Sequence, residues 1–232
     1  SYYQPLFLHK KIQMNDLKIT HHYQNQRFNN IHEFFWGFGS SFHTVYAVVP
    51  LLLKKLGAPE VIATSSAGIF SIIIAVPMLI TAALTRNITN TKRLVIGVHC
   101  IILFVAFIMG YIFTFSDIIK NPNAWEIYFM LFIAYSLAIG TIIPIWADFL
   151  EKTTNRSLRG KFFGIGFTFN SIGALIGGIA LKNILEKNIQ FPRNFGIGFI
   201  TLFFSLAIGT FVFYFFKEKE DYIKKKSLKT FK

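Results

Sequence analysis

The sequence predicts an all-α membrane protein with six transmembrane helices. Three observations predict it. The 232 residues are 53% hydrophobic and only 15% charged, whereas soluble domains carry about 25% charged residues. The apolar residues fall into six runs, at about 33–53, 61–84, 94–115, 125–147, 162–181 and 195–216, each long enough for the roughly 20 residues that cross a bilayer as helix. Short polar loops with turn residues separate them, such as Gly57-Ala58-Pro59 and Asn121-Pro122-Asn123.

Residues 1–32 are polar and read as a cytoplasmic lead-in. The adjacent His21 and His22 lack further ligands nearby, so a solvated tail is favoured over a metal site. The first span divides lengthwise. Phe34, Phe35, Phe38, Phe42, Val45, Tyr46 and Val49 share one half, and Glu33, Gly37, Ser40, Ser41, His43 and Thr44 share the other. Lipid penalises the polar half, which is therefore expected to face protein or a water-filled pathway. Ser40, His43 and Thr44 are the substrate-binding candidates there, with Pro50 ending the span. Glu33 reads as an interfacial acid near a helix start, and His99, beside Cys100 in the third span, as structural.

The second span carries Pro77, and the fourth carries Gly140, Thr141 and Pro144. The polar loop after the fourth span holds Asp148 and Arg159, a charge pair fit to lock one conformation. In the fifth span Gly166, Asn170, Gly173, Gly177 and Ala180 fall within about 80° of arc at 100° per residue. Such a stripe admits close helix packing in a membrane. Gly166, Gly173 and Gly177 are its packing residues, and Asn170 a fourth substrate-binding candidate. The sixth span is the most uniformly apolar and is expected to face lipid most. Residues 217–232 form a basic cytoplasmic tail. A faint repeat relates Glu33 and Pro50 to Glu126 and Pro144.

The fourth-span acid Asp148, the polar loop, Arg159-Gly160 and Gly164 opening a glycine-rich fifth span resemble the major facilitator superfamily. The loop LTRNITNTKR between the second and third spans matches that family's closing basic pair at Lys92 and Arg93. Ile88 and Thr91 stand where an Asp and a Gly are usual. The resemblance covers about residues 31–232 and implies the N-terminal half of a transporter, its six helices in two three-helix inverted repeats, working by alternating access on a small solute. A second six-helix half in the same longer chain would pack against this one. Asp148, Arg159 and Gly160 would then be gating or loop residues.

The formal net charge of +13 does not point to nucleic acid, because the basic residues sit between lipid-length spans. No catalytic or phosphate-binding pattern occurs, so no enzymatic activity and no cofactor are expected. The single Cys100 excludes an intramolecular disulfide. The alternative to a carrier is a complete six-span structural or assembly subunit. Of the 24 Lys and Arg residues, 18 fall in segments that share a side with the N-terminus. Both termini are therefore expected in the cytoplasm, with the chain in the plasma (inner) membrane. Reporter fusions placed after Lys232 and after Asn121 should report inside and outside respectively. The reverse pattern would overturn this orientation.

Overall fold

The computed structural model describes residues 19–85, 88 and 90–218. The basic tail beyond residue 218, the first 18 residues and Asn87 lie outside the described residues. In chain order the α-helices are α1 (Ile19–Ser40), α2 (Val48–Lys55), α3 (Glu60–Thr64), α4 (Ser66–Thr85), α5 (Thr91–Phe115), α6 (Ala124–Thr153), α7 (Arg159–Glu186) and α8 (Arg193–Phe211). Five helical stretches are long and apolar enough to cross a membrane: α4, α5, α6, α7 with the turn before it, and α8 with the turn after it.

The first expected span, 33–53, is not one helix. It starts 14 residues early, at Ile19, because the polar lead-in residues have work at the bundle's end. Asn25 Nδ2 donates to Thr153 O and to Lys217 O, both at 2.7 Å, and Asn25 Oδ1 accepts from Lys217 N at 2.8 Å. Gln26 Nε2 donates to Phe162 O at 3.2 Å, and His22 Nδ1 accepts from Asn155 N at 3.2 Å. Asn25 and His22 thus satisfy backbone groups at chain turns, where helices leave them orphaned, and Gln26 ties α1 to the first turn of α7. The first span then breaks before Pro50. A 3₁₀ turn at Ser41–His43 leads to Thr44 in extended geometry, and Thr44 Oγ1 accepts from Val48 N at 3.2 Å to restart the chain as α2. Pro50 sits in the first turn of α2, where its missing N–H costs nothing.

Helix α6 runs past the expected end at 147 to Thr153, so Asp148 is helical rather than in a loop. The Thr153 and Thr154 hydroxyls then donate back to Phe149 O at 3.0 Å and Leu150 O at 2.7 Å. Between α2 and α3 the chain turns on Gly57, whose φ of 87° disfavours a side chain.

Helix α1 packs on α7 and α8, α4 on α6, and α5 on α6 and α8. Glycine sets the closest of these approaches. A Cβ on Gly173 would strike Phe34 O, and one on Gly177 would strike Phe38 O. One on Gly37 would strike Asn170 O in return, and one on Gly166 would lie 2.5 Å from Asn29 Nδ2. Between α6 and α4, a Cβ on Gly140 would lie 2.5 Å from Ile74 O. Gly196 of α8 meets Phe113 and Thr114 of α5 in the same way.

Two lipid-exposure expectations are overturned. Phe42, assigned to a lipid-facing half, is 1% exposed inside the core. The sixth span, expected to face lipid most, is the most buried of the five spans, at 56% of its apolar window against 6% for α4. Small residues explain the reversal, since Gly196, Gly198, Ser205 and Gly209 let α8 sink against α1 and α5. The Ser205 hydroxyl donates to Phe35 O at 2.7 Å.

Gly173→Leu or Gly177→Leu should therefore abolish recovery of folded, monodisperse protein, because the obstacle is α1 backbone that cannot rotate aside. Gly178 faces open space, and Gly178→Leu should be recovered at the level of the unaltered protein. Size-exclusion profiles of the three detergent-solubilised variants make the comparison. Equal loss in all three would show that the stripe is not a close contact.

Candidate functional site

A cavity of about 190 Å³ opens between α1, α5, α6 and α7. Its polar lining is His32 and Glu33 from α1, His99 from α5 and Asn170 from α7. Trp36, Trp146 and Phe167 supply aromatic faces. His99 lies eight residues into α5 and Asn170 eleven into α7, about 12 and 17 Å from the ends of those helices at 1.5 Å per residue. The cavity thus reaches well into the bundle. Its mouth is marked by Phe167 and Ile143, which are exposed.

The glycine contacts bring these groups together. With α7 seated directly on α1 backbone, Asn170 Nδ2 reaches Glu33 Oε2 at 3.0 Å. Glu33 is 4% exposed, and no lysine or arginine lines the cavity. The two imidazoles are oriented by backbone carbonyls. His32 Nδ1 lies 3.1 Å from Gly209 O, and His99 Nδ1 lies 2.6 Å from Val95 O. A carbonyl only accepts, so each Nδ1 carries the hydrogen and each Nε2 is left as an acceptor. His99 Nε2 and Trp146 Nε1 are buried without a hydrogen-bond partner. The His32 and His99 rings meet edge to face at 5.7 Å, and Trp36 lies 5.6 Å and 5.2 Å from them. Among the described residues no three His, Cys, Asp or Glu side chains gather as a metal-binding group.

Of the four substrate-binding candidates, Asn170 lines this cavity; Ser40, His43 and Thr44 do not. His43 lies toward the other end of the bundle. It is 3% exposed, with both ring nitrogens unpartnered, among the rings of Tyr128, Phe132, Tyr135 and Phe199. The charge pair expected between Asp148 and Arg159 is replaced by two others. Asp148 pairs with Lys152 at 2.6 Å, one helical turn on, and Arg159 pairs with Glu151 at 3.3 Å. Gly160 has open space around it. Glu33 and His99, which read from sequence as an interfacial acid and a structural histidine, carry the cavity's polar chemistry together with Asn170, and His32, Trp36 and Trp146 join them without a sequence motif. The missed signal was helical spacing, since His32, Glu33, Trp36 and Gly37 recur at intervals of three and four along α1.

These features define an integral membrane protein, all helical in its described residues, with a polar cavity inside its bundle. The family model of the Major Facilitator Superfamily matches residues 31–178, well over half of the chain. The chain belongs to that family of membrane transporters. Comparison with curated proteins and with solved structures finds no match.

His43→Phe should keep or raise thermal stability. A buried polar group without a partner costs about 1–3 kcal/mol, and phenylalanine fills the same ring space. A melting curve of the purified variant tests this. A clear drop would show that the His43 nitrogens hold a partner, such as water.

Proposed function

We propose that the chain is the N-terminal half of a longer carrier that moves a small solute across the plasma (inner) membrane by alternating access. Its termini lie in the cytoplasm, and the solute binds in the cavity between α1, α5, α6 and α7. The broken first span, α1 through α2, joins the five membrane-length helices to make six. The observation that carries the reading is a cavity lined by Glu33, His99 and Asn170 deep among helices otherwise built for lipid. Polar groups at such depth mark pathways for solutes or ions.

The packing scheme supports two inverted repeats. Exchanging the first three spans with the last three turns the α1–α7 contact into the α6–α4 contact. It turns α1–α8 into α6–α5, and α5–α8 into itself. Inverted repeats of this kind place substrate at their interface near the bilayer midplane. The exposed rim at Phe167 and Ile143 leaves a face for the second half to close. Arg159, Glu151, Asp148 and Gly160 lie at one end of the bundle, where ion pairs can bias a gate; exposed pairs contribute about 0–1 kcal/mol each.

Cysteine labelling of the full-length protein tests the carrier reading. In a Cys100→Ala background, Asn170→Cys should react with a membrane-impermeant maleimide applied from one side. Phe104→Cys, on the exposed apolar surface, should stay inert. Labelling of Asn170→Cys should also change when a transported solute is present. Should Asn170→Cys prove as inert as Phe104→Cys from both sides, the cavity is not a solute path.

A further inference from the structure

We infer that the solute of this cavity is a small organic cation, an ammonium compound carrying at least one oxygen acceptor. The inference rests on the carrier reading above and names its substrate class.

Charge comes first. Among the described residues, Glu33 is the only carboxylate on the lining, and no lysine or arginine accompanies it. Its partner is the uncharged amide of Asn170. A carboxylate taken out of water is costly unless a cation meets it. The described residues of the lining offer no such cation, and an incoming ammonium group would supply the missing half of the pair.

The uncharged groups point the same way. Trp36, Trp146 and Phe167 line the same cavity as the carboxylate, and aromatic faces attract cations, tryptophan most of all. The Nε2 atoms of His32 and His99 are bare acceptors, because backbone carbonyls hold the hydrogen on each Nδ1. His99, one of the lining residues, is fully buried, and its Nε2 has no partner. Acceptors in that position suit N–H or polarised C–H groups of an ammonium. Among the described residues of the lining, Trp146 Nε1 is a buried donor without a partner, and a hydroxyl or carbonyl oxygen on the solute would satisfy it. An anion would meet Glu33, two imidazole lone pairs and the negative faces of the rings. The volume of about 190 Å³ lies below the roughly 300–1,000 Å³ of sites for drug-sized ligands, so the cation is small.

The test uses the full-length protein in lipid nanodiscs and three probes of similar bulk. These are choline, its uncharged isostere with carbon in place of the quaternary nitrogen, and the anion pivalate. Isothermal titration should show choline binding at least about tenfold tighter than the isostere, the scale of a desolvated cation–π and carboxylate contact, and pivalate not binding. Glu33→Gln should remove the preference, while Glu33→Asp should keep part of it. Trp36→Leu should weaken choline more than the isostere. Equal or tighter binding of the isostere or of pivalate overturns the inference. So does absence of choline binding while Asn170→Cys still labels, an outcome that leaves the carrier reading standing. Inert Asn170→Cys would sink the carrier reading and this inference with it.

Discussion

The close seat of α7 on α1 is the contact on which the site depends. Inside lipid there is no hydrophobic force between apolar helices, so association rests on van der Waals fit and interhelical hydrogen bonds. Gly173 and Gly177 on one side and Gly37 on the other remove Cβ atoms that would strike the facing backbone, and Gly166 leaves room for the Asn29 amide. The Ser41 hydroxyl then donates across the seam to Ala174 O at 2.9 Å, and Asn170 reaches Glu33. A wider spacing would break both bonds and separate the α7 wall of the cavity from the α1 wall. The stripe therefore positions the chemistry as well as the helices.

A second set of contacts fixes the end of the bundle where α1 begins. Helix α5 starts with Thr91 and Lys92, and Glu218 meets both: it accepts from Thr91 Oγ1 at 3.2 Å and from Lys92 N at 3.1 Å. An acid at a helix start satisfies orphan N–H groups and opposes the macrodipole. Lys92 Nζ donates in turn to Tyr214 O and to Phe216 O, where α8 has run out. With Asn25 bridging Thr153 and Lys217, the ends of α1, α5, α6 and α8 are tied through side chains. In this way a bundle with few charges still closes one end with polar bonds.

How far the sequence could be read follows from the same physics. Apolar runs bounded by turns located the second to sixth spans to within a few residues at most ends, since bilayer length and backbone satisfaction leave little freedom. The fifth-span stripe was visible because helical periodicity puts small residues on one line. The first span failed because its pattern mixes two jobs. Polar residues such as Asn25 and Gln26 look solvated but serve other helices' backbones, a long-range partnership that no local pattern carries. His43 looked like a pathway residue because its neighbours Ser40, Ser41 and Thr44 are polar, yet aromatic rings from α6 and α8 enclose it. Mean apolarity likewise misplaced α8, because small residues rather than hydropathy decide which helix is central.

Glu33 is the point where packing and function separate. Its contact with the Asn170 amide does not need a charge: a glutamine at this position accepts the same hydrogen bond at a lower cost of leaving water. The ends of the bundle use amides in this way, through Asn25 and Gln26. The cavity instead holds an acid, a His99 imidazole with an unpartnered Nε2 and an unpartnered indole N–H at Trp146, against the rule that buried polar groups find partners. Local departures from packing rules concentrate where a protein binds something. Here the departures line one cavity, while the glycine seams, the core aromatics and the helix ends follow the rules.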